Sequence, residues 1–291
     1  MPSTASTNAV RRVIRDMRAD TGREWTVDEM AAAAMFSKFH FTRLFRDSTG
    51  LSPGRFLSAL RLQEAKRLLR TTGFSVAEIS AQVGYSSVGT FSTRFKECVG
   101  LPPSEFRSTG GFASYTYGDV GALSSPRHSA KRNSDRRVDF RHSAARDPVV
   151  HGRVLPPAPD HTVGTAAADA LGPCVVGLFP APTHQGLPVR RIVLDRPGPF
   201  TFTDVPAGSW YVLGHSLPGA ACRVPVADPG TPAYVGGYGP VTPGGTALLP
   251  AVVTLRPSDE LDPPVLTAPP GPGTYGRGTH TEMSAALPWA N

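Results

Sequence analysis

The chain has 291 residues, 40% of them hydrophobic and 18% charged, with a formal net charge of +7; that length allows two domains, each burying its own core. The charge is uneven: residues 1–107 carry 16 basic and 10 acidic side chains, residues 108–147 carry 7 and 4, and residues 148–291 carry 7 and 9, so the front of the molecule is suited to a polyanion such as nucleic acid. Three scattered cysteines, Cys98, Cys174 and Cys222, suggest neither a disulfide framework nor a zinc ribbon, and with no secretory h-region and no run of about 18–20 apolar residues, a cytoplasmic, nucleoid-associated protein with no membrane partner is expected.

Val10, Val13, Ile14 and Met17 return to one face at helical spacing, with Arg11, Arg12, Arg15 and Arg18 on the others, which predicts an amphipathic first helix ending near Gly22. Beyond it the chain repeats itself. The segment VDEMAAAAMFSKFHFTRLFRDSTGLSPGRF is echoed by VAEISAQVGYSSVGTFSTRFKECVGLPPSEF. Glu29 and Glu78, and Ser37 and Ser86, are 49 residues apart; Phe41/Phe91, Phe45/Phe95, Gly50/Gly100, Leu51/Leu101, Pro53/Pro103 and Phe56/Phe106 are 50 apart. One residue has therefore been inserted near the start of the second long helix of the repeat.

Each copy reads as a short helix (27–34 and 76–83), a tight turn, a second helix, a glycine that stops it and a proline that follows. Ser37 and Ser86 suit the N-cap positions of the second helices. Phe41, Leu44 and Phe45 in one copy, and Phe91 and Phe95 in the other, are spaced by three and four and share a buried face. Such a pair offers the N-terminal part of its second helix to the major groove. In the first copy that part includes Lys38, Phe39, His40, Thr42 and Arg43. Arg43 suits a bidentate contact to guanine, Thr42 either base type, and Phe39 a thymine methyl; the alternatives are a phosphate contact for Arg43 and a core position for Phe39. The second copy exposes Ser87, Val88, Gly89, Thr90, Ser92 and Thr93, with Arg94 beside them. These small side chains suit close approach to the backbone more than base reading. Residues 54–70 form a long amphipathic helix between the copies, with Phe56, Leu57, Leu60, Leu68 and Leu69 as its buried stripe. It would hold the two reading heads for major grooves roughly 34 Å apart.

These residues resemble the DNA-binding domain of AraC/XylS-type regulators. The resemblance rests on Ile79-Ser80, Gly84-Tyr85-Ser86, Phe91-Ser92, Phe95-Lys96, Gly100, Pro103 and Phe106-Arg107, with Arg61-Leu62, Ala65 and Leu68-Leu69 in the connecting helix. It implies seven helices, two helix-turn-helix units, and base contacts from Phe39, Thr42, Arg43, Thr90 and Thr93. It also implies double-stranded DNA and RNA polymerase at a promoter as partners, and leaves room for a small-molecule effector and a homodimer. The sequence departs from the pattern at Thr93, where the family commonly has arginine, and in layout, since the DNA-binding module comes first.

Only 5 of the 30 prolines precede residue 148, so helices belong to the front and strands to the rear. Residues 108–147, rich in Ser, Gly and Arg, read as a flexible basic linker. From 148 to 268 short β-prone runs alternate with turns, the pattern of an all-β sandwich, with strands expected at 174–179, 189–194, 200–203, 210–215, 233–238 and 251–255. Residues 199–213 resemble one strand–turn–strand hairpin of carboxypeptidase-regulatory, transthyretin-like sandwiches. Residues 269–291 read as a disordered tail. The fold class expected is thus multidomain: an all-α double helix-turn-helix domain over 1–107, a basic linker and an all-β sandwich.

No catalytic constellation stands out, and neither an enzyme nor a cofactor or metal site is expected. Gly271 to Gly276 spell G-x-G-x-x-G without the strand before and helix after that give the motif its physics, and Cys174, His184, His215 and Cys222 follow no metal-ligand spacing. A sequence-specific DNA-binding transcription regulator is the reading these residues favour. The alternatives are an enzyme or ligand-binding protein acting through the β domain and tethered to DNA, and a nucleoid binder of low specificity.

Overall fold

A computed structural model describes residues 3–113, 148–157, 171, 173–216, 234–243, 250–269 and 271. Cys222, most of the expected linker and tail, and the G-x-G-x-x-G run beyond Gly271 lie outside the described residues. Seven helices come first: α1 (Thr4–Ala19), α2 (Val27–Ala33), α3 (Lys38–Thr49), α4 (Pro53–Thr71), α5 (Val76–Gln82), α6 (Val88–Val99) and α7 (Pro103–Ser108). The repeat is visible in the caps. Thr26 and Glu29 form a capping box on α2, and Ser75 and Glu78 form its counterpart on α5; the hydrogen bonds from the cap backbone and hydroxyl hold both glutamates below the usual carboxylate range. Gly50 and Gly100 end α3 and α6 in the left-handed region, which favours glycine.

One cap differs from expectation. Ser37 caps α3, but α6 is capped by Ser87, whose hydroxyl accepts from the Thr90 amide, and not by Ser86. The inserted residue explains the shift: it falls before α6, so the cap keeps the 50-residue register of the helix it starts.

The helices build two cores and not one. Val10, Val13, Ile14 and Met17 of α1 pack with Met30, Phe41, Phe45, Phe56, Leu57 and Leu60, while Leu62, Ala65, Leu68 and Leu69 pack with Ile79, Phe91, Phe95, Val99 and Phe106. Helix α4 feeds its first half to one core and its second to the other, and so acts as the spine. Arg61, midway along it, donates to the carbonyls of Thr21 and Arg23 at 2.9 and 2.8 Å, tying the first unit to the centre of the spine.

The turn inside each helix pair needs a left-handed residue, and the copies solve this differently. Gly84 supplies it at φ +82°, whereas in the first copy Met35 adopts φ +59° with its side chain 82% exposed. An added Cβ at Gly84 would lie 2.7 Å from the Arg61 guanidinium and 2.9 Å from the Gly22 carbonyl. Gly84→Ala is therefore expected to cost about 2 kcal/mol, and Met35→Gly to gain up to about 1 kcal/mol by relieving the left-handed strain. Urea unfolding of the two variants should move the midpoint in opposite directions.

The C-terminal strands are β1 (Val150–Leu155), β2 (Cys174–Phe179), β3 (Arg190–Leu194), β4 (Pro199–Phe202), β5 (Trp210–Ser216), β6 (Tyr234–Val241), β7 (Ala251–Thr254) and β8 (Arg256–Pro257). They form a three-stranded sheet ordered β4-β1-β7 and a five-stranded sheet ordered β3-β2-β5-β6-β8. Val150, Val154, Phe200, Phe202, Val253 and Leu255 meet Cys174, Val176, Leu178 and Val212 in a shared core, so this region is a β-sandwich. Two features correct the sequence reading. Strand β1 was not expected; it pairs parallel to β7, and Gly152 is required because a Cβ there would lie 2.1 Å from the Ala251 carbonyl. The stretch 199–213 is not a hairpin, since β4 pairs with β1 in one sheet and β5 with β2 and β6 in the other.

The helical unit also continues past residue 107. Gly111 turns at φ +91°, Ala113 is buried, and its amide donates to the Pro269 carbonyl at 2.8 Å. Residues 259–269 turn at 259–262 and then run as an extended strap between the sandwich and the helices.

Candidate nucleic-acid interface

Each second helix of the repeat buries one face and leaves the other free. In α3, Phe41, Leu44, Phe45 and Thr49 are buried, and the remaining side chains project from the opposite side because 3.6 residues complete a turn. Lys38, Phe39, His40 and Arg43 are exposed and Thr42 is half-buried. Phe39 is 88% exposed, which removes the alternative of a core position: an aromatic ring this free in water is available to a partner. Arg43 makes no ion pair with any described residue. Lys38 instead binds Asp28 of α2 at 2.8 Å, and the Thr42 hydroxyl donates to the Lys38 carbonyl at 2.8 Å, leaving its lone pairs to accept. His40 stacks at a tilt on Phe36, with ring centroids 4.7 Å apart.

The matching face of α6 carries Ser87, Thr90 and Thr93, all exposed, and Arg94, half-buried. Ser87 is occupied as the helix cap, accepting from the Thr90 amide at 3.3 Å, and Arg94 pairs with Glu97 at 3.2 Å. This face is short-chained where α3 is long, and Val88 is its largest exposed apolar group.

Two residues were passed over in the sequence. Arg46 lies three positions after Arg43 and extends the same exposed stripe of α3, and Lys96 lies three after Thr93 on α6; both are exposed. They are 50 residues apart, so the period of the repeat itself was the signal. Each head thus ends its free face in a cation.

The sandwich brings together His184 and His215, edge to face with centroids 5.1 Å apart. No group of three or more metal-ligating side chains forms among the described residues. No helix among the described residues is long and apolar enough to cross a membrane.

Two helix-turn-helix units on one spine, each presenting the free face of its second helix, define a double helix-turn-helix domain. A family model described as a helix-turn-helix domain matches residues 30–109. The HTH-type transcriptional regulator MtrA of Neisseria gonorrhoeae is 39% identical over 88 residues, 30% of this chain and 29% of that one. The "Probable transcription factor PqrA" of Proteus vulgaris is 33% identical over 84 residues, 29% of this chain and 69% of that one. Among solved structures, the DNA-binding domain of the global transcriptional factor AdpA in complex with a target DNA is 29% identical and covers 34% of this chain and 89% of that one, with a TM-score of 0.33. The chain belongs to the AraC family of helix-turn-helix regulators. It spans 29 to 34% of the length of the first curated relatives it matches.

Proposed function

We propose that the protein is a sequence-specific DNA-binding regulator of transcription that lays α3 and α6 into successive major grooves of one duplex near a promoter, where RNA polymerase is its further partner. The observation that carries this reading is the pair of free faces, Phe39/Thr42/Arg43/Arg46 and Thr90/Thr93/Lys96, repeated at a fixed offset on a common spine. Arg43, with no partner among the described side chains, has the fork to read guanine bidentately, and Phe39 the apolar surface to pack on a thymine methyl. Thr90 and Thr93 can reach base edges over a short distance, and Ser87, Arg94, Lys38 and His40 flank the groove at the phosphates. Arg46 and Lys96 supply phosphate contacts further along.

Binding of the full chain to a selected promoter fragment should weaken steeply with salt, by a slope of about 0.9 for each phosphate contact. Lys96→Ala is expected to lower that slope by about 1 while leaving base preference intact. Equal affinity for the promoter fragment and a scrambled duplex would reject the proposal. The small side chains of α6 favour a second reading, a nucleoid binder of low specificity. Genome-wide occupancy separates the two, since sharp peaks belong to a regulator and broad cover to an architectural protein.

A further inference from the structure

The two heads have separate cores, and a 19-residue helix, α4, is their common spine. A second connection runs beside it. At the first head, Asp259 of the strap binds Arg11 at 2.7 Å, Glu260 binds Arg15 at 3.2 Å, and Leu261 packs against the core that α1 helps to build. Midway, Lys66 of α4 donates to the carbonyls of Val265 and Leu266 at 3.2 and 3.0 Å. At the second head, Leu266 is 0% and Ala268 2% exposed within the core of Phe91, Phe95, Val99 and Phe106.

The end of α6 shows what this contact does. The last carbonyls of a helix lack intrahelical donors. In α3, the Thr49 hydroxyl donates to the Phe45 carbonyl at 2.8 Å and accepts from the Leu51 amide at 3.3 Å, a local link across the end of the helix. The residue 50 positions later is Val99, which has no hydroxyl. There the Ala268 amide donates to the Val99 carbonyl at 3.0 Å, and the Gly186 amide to the Cys98 carbonyl at 2.7 Å. Strap and sandwich are themselves joined, the Thr267 hydroxyl donating to the Gly186 carbonyl at 3.1 Å and the Leu266 amide to the His184 carbonyl at 3.0 Å. The rear of the second reading helix is therefore closed by the C-terminal domain, on the opposite end from the Ser87 cap and the reading face.

We propose that residues 259–269 position the two reading heads relative to each other, so that the C-terminal sandwich sets the half-site spacing the protein accepts. This rests on the DNA-binding reading above. A strap held at both heads adds to the restraints that α4 and Arg61 already place on their relative angle, and a more tightly held pair fits two grooves at one separation. Without it, only α4 and the Arg61 bonds to the Thr21 and Arg23 carbonyls hold the heads at their relative angle, and a wider range of spacings becomes reachable.

The test uses the full chain carrying spin labels on unnatural residues at the exposed, repeat-related positions Ala32 and Ala81. Pulsed dipolar measurement of the free protein should give one narrow distance in the wild type and a broad distribution in Asp259→Ala/Glu260→Ala/Leu261→Ala. On duplexes whose half-site spacing is changed by one or two base pairs, a wild-type penalty of at least about 10-fold should fall below about 3-fold in the variant. Should the triple variant unfold, Ala268→Pro, which removes the amide donor to Val99, and Asp259→Arg alone carry the same readouts, and adding Arg11→Asp to Asp259→Arg should restore the narrow distance. A narrow distance and an unchanged spacing penalty in the strap variants would overturn the proposal. Broadening without selective DNA binding by either protein would instead overturn the DNA-binding reading and leave the brace standing.

Discussion

Arg43→Ala is expected to weaken binding to the preferred site by about 5- to 150-fold, the worth of a bidentate guanine contact, while affinity for unrelated duplex changes far less. Phe41, Leu44 and Phe45 are committed to the core, so the backbone of α3 cannot rotate, and Arg43 is held on the free face with no carboxylate among the described residues to occupy it. Losing one base contact leaves the phosphate contacts in place, so preference falls more than total affinity. Selection of bound sequences from a random pool is the measurement: the variant should relax one position of the first half-site and keep the second. A uniform loss across all positions would mean that Arg43 touches only phosphate.

Acidification from pH 7 to pH 4 is expected to loosen the grip of the sandwich on the helices. His184 and His215 lie between the sheet and the strap, and the His184 carbonyl accepts from the Leu266 amide at 3.0 Å. Burial holds the His184 imidazole down to about 4, and burial, followed by His184 itself and the cations Lys66 of α4 and Arg191 of β3, holds His215 well below the ordinary histidine range. A hydrogen bond with the Gly214 backbone, and after it the charge of Asp262 in the strap, oppose this at His184. Both rings are neutral in the folded protein at neutral pH. The unfolded chain binds protons near pH 6.5 and the folded one does not, so stability is full above that value and is lost as pH falls toward 4. His184 alone accounts for about 3 kcal/mol at pH 4. Urea unfolding across this range, compared with His184→Gln, isolates the effect from the carboxylates; identical pH profiles in the two proteins would contradict it.

The helical half was legible because its signals are local. Apolar residues three and four apart, a Ser or Thr cap and a terminal glycine act within a few turns, so the 49- and 50-residue offsets carried both units into view. The boundary at Ser86 and Ser87 failed by one residue because an insertion cannot be placed from matched side chains alone. The sandwich was visible as alternating strands, but pairing between distant segments leaves no local mark: β1 joins β7 across about a hundred residues, and β4 and β5 part to different sheets despite adjacency. At the interface, residue types proposed the groove-facing set, whereas the exposure of Phe39 depended on which face α1, α2 and α4 cover. The strap was hidden because Pro-Pro-Val-Leu-Thr-Ala-Pro-Pro has no helical or strand period. Its apolar side chains make sense only beside Val99 and Phe106.

The slot that receives Leu266 and Ala268 is made long before its occupant. Lys66 and Leu266 are 200 residues apart, so at about 5–20 residues per second of synthesis the finished helices wait on the order of 10–40 s for the segment that seals them. During that interval the second head lacks the cover of Leu266 and Ala268, and the Val99 carbonyl lacks its donor. A nascent neighbour on the same message carries the same plug, and exchange of plugs between chains would link two molecules back to back without altering a single contact at either end.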